Sequence, residues 1–180
     1  WQACFDDKIR EFSPDIIGVT CMYTMTHNSF KNVCQYASKS NIPLAIGGVH
    51  TSNDVERILK DIKCVAFAFL READQSLPAF INVINKKIPI KELAQIVFYR
   101  EGSTIEITNQ KMPDSNEINI LPAWDISDVS ESSSYGIVGT FYYLKPENTR
   151  IAPIISNRGC RAQCSFCGVR NFNGKGVRQR

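Results

Sequence analysis

The sequence predicts an α/β fold: a doubly wound parallel sheet, then a hairpin and linker, then the opening of a second unit. Three observations carry this reading. Short apolar runs alternate with amphipathic stretches over residues 15–90, the pattern of a parallel sheet with helices on both faces. A glycine pair, Gly47-Gly48, closes the second apolar run. Three of the 7 cysteines crowd into residues 160–167, directly after a further apolar run.

Taken in order, Phe5, Ile9 and Phe12 suit the end of a helix whose own preceding strand is expected upstream of Trp1. Asp15 to Thr20 is a short apolar run that fits a buried parallel strand. Asn28 to Ser40 follows as an amphipathic helix, with Phe30, Val33, Cys34 and Ala37 on one face. Ile42 to Ile46 is the second strand, ended by the glycine pair. Ser52 or Asn53 is placed to cap a helix to about Asp61, with Val55, Ile58, Leu59 and Ile62 inward. Cys64 to Phe69 is the third strand and Leu77 to Asn85 the third helix of the alternation.

Beyond residue 90 the texture changes. Ala94 to Arg100 and Ser103 to Thr108 read as a hairpin, with Glu101-Gly102 in the turn. Gln110 to Asn119 is polar, Leu121 to Trp124 is a short apolar anchor, and Ser130 to Ser134 is a linker. Arg150 to Ser156 reads as a strand running into the cysteines. The expected organisation is therefore 1–90, a Rossmann-like ligand-binding domain; 91–149, hairpin and linker; and 150–180, the start of another domain.

Composition narrows the classes. With 43% hydrophobic and 22% charged residues over 180 positions, disordered, collagen-like and low-complexity chains are excluded. A chain of this length buries a core without disulfide help. No apolar run approaches the roughly 20 residues of a membrane span, and no signal peptide opens the chain. No membrane partner is expected, and the odd cysteine count fits a reduced, cytoplasmic protein. The chain begins with Trp1, not Met, and is expected to be a piece of a longer protein.

The net charge of +3 is unevenly spread. Arg158, Arg161, Arg170, Lys175, Arg178 and Arg180 lie within residues 157–180, where no acid occurs. A basic stretch suits nucleic acid or another anion. A three-thiolate site is itself anionic, so nucleic acid is not required and is not expected as a partner.

Cys4, Cys21, Cys34 and Cys64 stand apart in apolar or helical contexts and read as small core thiols. Cys160, Cys164 and Cys167 have the spacing C-x3-C-x2-C. Three thiolates on one loop suit three irons of a cubane cluster, leaving the fourth iron open. The other reading is zinc, which normally needs a fourth Cys or His that does not follow here.

With Phe166 before the last cysteine, this motif resembles the signature of radical S-adenosylmethionine (SAM) enzymes, where it follows the first strand of a partial (β/α) barrel. Gly18-Val-Thr20-Cys-Met22, followed at a distance by Gly47-Gly48-Val49-His50, is similar to the S-x-L…G-G pattern of cobalamin-binding domains. Arg71-Glu72-Ala73-Asp74 stands where that family usually has Gly-Glu-Gly-Glu. The order of parts resembles the cobalamin-dependent radical SAM family throughout.

The resemblance implies a set of roles. Cys160, Cys164 and Cys167 would bind a [4Fe-4S] cluster, with Phe166 beside the cofactors. Thr20, Met22, Thr24, Gly47, Gly48, His50 and Glu72 would contact cobalamin. A small-molecule substrate and an electron donor for the cluster would complete the system. The implied reaction is reductive cleavage of SAM to a 5′-deoxyadenosyl radical, used for methyl transfer or cyclisation, with this piece alone inactive. His50 is read as a hydrogen-bonding loop residue, not a lower cobalt ligand, and His27 as a solvent-facing loop residue or a helix-entry residue. No catalytic residue is named. The alternative is a non-catalytic cobalamin- or zinc-binding module.

Overall fold

The computed structural model describes residues 1–100, 104–121, 123, 126 and 154–179, and within them the expected alternation forms one five-stranded sheet. The Glu101-Gly102 turn, Pro122 and Trp124 of the apolar anchor, the Ser130–Ser134 linker and residues 150–153 lie outside the described residues. Strands β1 (Ile17–Thr20), β2 (Leu44–Gly47) and β3 (Phe67–Phe69) are parallel and adjacent. The register sets Thr20 beside Gly47. The hairpin strands β4 (Ile96–Arg100) and β5 (Thr104–Ile107) continue the same sheet in antiparallel fashion, with β4 beside β3. The hairpin, read from sequence together with the linker, is thus built onto the sheet of residues 1–90.

Helices cover both faces, as the fold class requires. On one face lie α1 (Gln2–Phe12), α2 (His27–Ala37) and α4 (Val55–Asp61). They bring Phe30, Cys34, Ala37, Ile58 and Leu59 onto Ile17, Leu44, Ile46 and Ala68. On the other face α5 (Ser76–Ile84) sets Phe80 against Ala45, Phe69 and Ile96. The Phe80 ring meets Phe67 and Phe69 edge-on, with centroids 4.8 and 5.3 Å apart. Covered from both sides, β2 is buried at Leu44, Ala45 and Ile46 without alternation. Burying the Leu44 and Ile46 side chains contributes about 1.5–3 kcal/mol each.

Three local expectations change. The helix expected from Ser52 or Asn53 begins earlier and is broken: α3 (Val49–Asn53) starts after Gly48, and α4 restarts after Asp54. Asp54 has an extended φ of −146°, which interrupts the helical path, and neither helix has a side-chain N-cap. Cys4 is exposed and Cys64 half-buried, so only Cys21 and Cys34 are buried core thiols. The packed side of α1 is Phe5 and Ile9, and Cys4, one step round the helix, points away.

Of the strand expected at Arg150–Ser156, residues 150–153 lie outside the described residues, and 154–156 are not in a strand. Ile154, Ile155 and Ser156 are exposed, and strand β6 is Asn157–Cys160. It pairs antiparallel with β7 (Gly176–Gln179), with α6 (Val169–Asn173) between them. A strand forms where a backbone partner exists. Gly159, at φ +88°, is what permits this one, because a Cβ there would lie 2.3 Å from the Gly176 carbonyl oxygen.

Candidate functional site

The carboxyl ends of β1, β2 and β3 form one edge, the position at which open α/β sheets take their ligands. Thr20 ends β1 and is exposed, and the loop after it carries exposed Met22, Tyr23, Thr24 and Met25. The two glycines at the end of β2 have different reasons to be glycine. Gly48 lies at φ +100°, and a Cβ on it would come within 2.4 Å of the Cys21 carbonyl oxygen and 2.8 Å of Thr20 Oγ1. The backbone needs it. Gly47 has ordinary room, with only the Phe69 carbonyl oxygen at 3.6 Å from a Cβ placed there. Folding does not demand glycine at Gly47, and its bare backbone leaves the floor of the edge open. Thr20, Thr24 and Met22 thus offer two hydroxyls and an apolar surface around an uncovered strand end, which fits a bulky ligand with polar and apolar parts.

Beside this edge runs a chain of hydrogen bonds that sequence reasoning missed. Thr24 Oγ1 lies 3.1 Å from His50 Nδ1, His50 Nε2 lies 3.0 Å from His27 Nδ1, and His27 Nε2 lies 2.9 Å from Asp61 Oδ2. Lys31 Nζ donates to Asp61 Oδ1 at 2.6 Å. His50 hydrogen-bonds as expected but is buried, 5% exposed, and not on an open loop. Burial, reinforced by the neighbouring His27, pushes its pKa below the ordinary histidine value. The hydrogen bonds to Lys31 and His27 hold the Asp61 carboxyl below its ordinary range.

Glu72 does not face that edge as a free carboxylate. It is 4% exposed, and both oxygens are taken. Arg178 donates from Nη1 to Oε2 and from Nη2 to Oε1, each at 2.7 Å, and Asn173 Nδ2 donates to Oε1 at 2.8 Å. Next to it, Arg158 forms a two-bond fork with Asp74, its Nη2 at 2.8 Å from Oδ1. The Arg158 hydrogen bonds hold the Asp74 carboxyl below its ordinary value. Arg71, in the position of the family's first glycine, keeps a left-handed φ of 56°, and its N–H donates to Ser52 Oγ at 2.7 Å. The acidic loop therefore grips the segment that bears the cysteines. An open cleft of about 410 Å³ lies between them, lined in part by Arg71, Glu72, Arg158 and Phe172.

Cys160 ends β6 and is half-buried, while Cys164, Cys167 and Phe166 are exposed. A turn closes between Cys164 and Cys167, whose N–H donates to the Cys164 carbonyl at 3.2 Å. All three thiols are free of disulfides. Among the described residues no three His, Cys, Asp or Glu side chains converge as a metal-holding group. What fits a [4Fe-4S] cluster is the donor set: three soft thiols on one short exposed stretch. Arg158 and Arg178, which the charge pattern assigned to the anionic site, are engaged by Asp74 and Glu72.

The signal for that pairing was present in the sequence as an acid-free basic segment and a short acidic loop. The fold class and this edge define an open α/β ligand-binding domain with a thiol-bearing segment docked on it. The model of the B12 binding domain family matches residues 3–81. Cytidylyl-2-hydroxyethylphosphonate methyltransferase of Streptomyces wedmorensis is 21% identical across 97% of this chain, which spans 37% of that protein. The radical SAM methyltransferase TsrM of Kitasatospora setae, solved with cobalamin and a [4Fe-4S] cluster, superposes with a TM-score of 0.76 at 16% identity. It covers 100% of this chain, and the chain covers 36% of it. The cobalamin-dependent SAM radical enzyme OxsB, solved with aqua-cobalamin and SAM, gives 0.73 at 17% identity, over 99% of this chain and 23% of its own. Residues 3–81 thus match the B12 binding domain family model, and the similarity to cobalamin-dependent radical SAM enzymes extends along the chain. No helix among the described residues is long and apolar enough to cross a membrane.

Proposed function

We propose that this chain is the cofactor-bearing part of a B12-dependent radical SAM enzyme acting on a small-molecule substrate by methyl transfer or cyclisation. The observation that carries the reading is spatial: the cysteine-bearing segment sits on the carboxyl edge of the B12-binding sheet, with α6 against α3. Both cofactor-binding segments therefore share one end of the molecule.

Thr20, Met22, Thr24, Gly47 and Gly48 hold cobalamin in this reading, and Cys160, Cys164 and Cys167 hold the cluster. When bound, a cluster fed by an electron donor supplies the electron that cleaves SAM, and cobalamin carries a methyl group. The protein's own task is to place the two sites together. Phe166, 91% exposed, is available to cover the thiol stretch. Arg161 and Lys175, exposed near Cys160, bring positive charge to that stretch.

Anaerobic incubation with iron and sulfide tests this. The expected result is a bound cluster with its charge-transfer absorption, lost in Cys164→Ala. Bound zinc with no cluster would establish the non-catalytic metal-module alternative instead.

A further inference from the structure

We propose that Glu72 and Asp74 are docking residues: they hold the cysteine-bearing segment, residues 157–179, on the B12-binding sheet and do not contact a cofactor. The inference rests on the proposed function only in naming 160–167 as the cluster stretch. The geometry itself stands without it. Two adjacent loop carboxylates each meet an arginine in a forked, two-bond pair, Glu72 with Arg178 and Asp74 with Arg158. Arg158 Nη1 also lies 3.7 Å from Glu72 Oε2, which links the two pairs into one network.

The two arginines sit on β6 and β7, facing each other in register. Arg158 stands two residues before Cys160, so a hold on Arg158 fixes where the first thiol emerges. Arg178 adds donations to the Pro113 carbonyl at 2.7 Å and the Asn173 carbonyl at 2.6 Å. One guanidinium thereby joins the acidic loop, the polar stretch after the hairpin, and the end of α6. Side-chain exposures of 2% for Glu72 and 15% for Arg178 mean that solvent screens this pair little. Planar bidentate pairing is directional as well as attractive, so it sets orientation and not only proximity. Both Glu72 oxygens are thus committed to the docked segment, and the side chain is 2% exposed.

Amide hydrogen exchange on the intact chain, followed by mass spectrometry, reads the docking directly. In Glu72→Gln and in Asp74→Asn, residues 157–160 and 176–179 should exchange at least about tenfold faster, while β1 and β2 keep wild-type protection. The less buried pair provides the rescue. Asp74→Arg alone should release the segment, and Asp74→Arg with Arg158→Asp should restore its protection. Hydroxocobalamin titration of Glu72→Gln separates the two readings of this residue. Unchanged affinity is expected. Unaltered exchange in the single variants, a failed rescue, or a tenfold loss of cobalamin affinity in Glu72→Gln would overturn the proposal. Absence of cobalamin binding in the wild type would count against the proposed function and leave the exchange result standing.

Discussion

His27 Nδ1 and His50 Nε2 lie 3.0 Å apart, and this bond orders every proton between Thr24 and Asp61. With His27 neutral, its Nε2–H donates to Asp61, so its Nδ1 must accept from His50 Nε2–H. His50 Nδ1 then accepts, and the Thr24 hydroxyl donates to it. With His27 protonated, the order reverses: His50 Nδ1–H donates, and the Thr24 hydroxyl proton is free to face the carboxyl edge of the sheet. A surface aspartate is thereby connected to a hydroxyl at the ligand edge.

The burial of His50 makes the first prediction one of sign. Its folded pKa lies below the ordinary 6.5, so on acidification the unfolded chain takes up a proton that the folded chain resists. Stability contributed at neutral pH is lost as pH falls below 6.5. Urea unfolding at several pH values should show this decline, and His50→Gln should flatten it. The neighbouring charged groups, Asp54 and Arg57, remain in both proteins and do not remove the difference.

Gly48→Ala should cost about 1–3 kcal/mol, because a left-handed backbone and a carbonyl oxygen 2.4 Å away leave no place for a methyl group. Gly47→Ala, one residue earlier, should stay within about 0.5 kcal/mol of wild type. Thermal unfolding of the two variants checks the contrast.

Phe80→Ala should remove about 3–5 kcal/mol, since the ring is 2% exposed and wedged between Phe67 and Phe69. Loss of that size is a large fraction of a typical domain's stability. Denaturant titration reads it directly.

Thiol reactivity should divide the cysteines sharply. Burial, with the nearby Cys64 and Cys21, pushes the Cys34 thiol up to about 12, so at pH 8 it is neither a thiolate nor accessible. Iodoacetamide followed by peptide mapping should modify Cys4, Cys164 and Cys167 quickly and Cys34 only on unfolding.

The parallel core was legible because its signals are local. Phe30, Cys34 and Ala37 fall on one helical face, and the short Leu44–Ile46 run, closed by a glycine pair, reads as a buried strand. The glycine pair and the cysteine spacing were legible for the same reason. What escaped were contacts between distant segments. The acidic loop and the acid-free basic segment signal a pairing but not that Glu72 meets Arg178, and nothing near His27 announces Asp61. The pairing of Asn157–Cys160 escaped because apolar content marks what wants burial, whereas pairing depends on which partner strand is present. Cys4 was misread because helical context does not say which face packs.

Cobalamin binding tests the central claim most directly. Hydroxocobalamin titrated into the wild-type chain should bind saturably. Gly47→Ala should bind somewhat more weakly, and Gly47→Leu, whose side chain fills the open strand end, should lose at least about tenfold, or about 1.4 kcal/mol. Far-ultraviolet circular dichroism of the variants should match wild type. Failure of the wild-type chain to bind, or equal affinity in a folded Gly47→Leu, would contradict the placement of cobalamin on this edge.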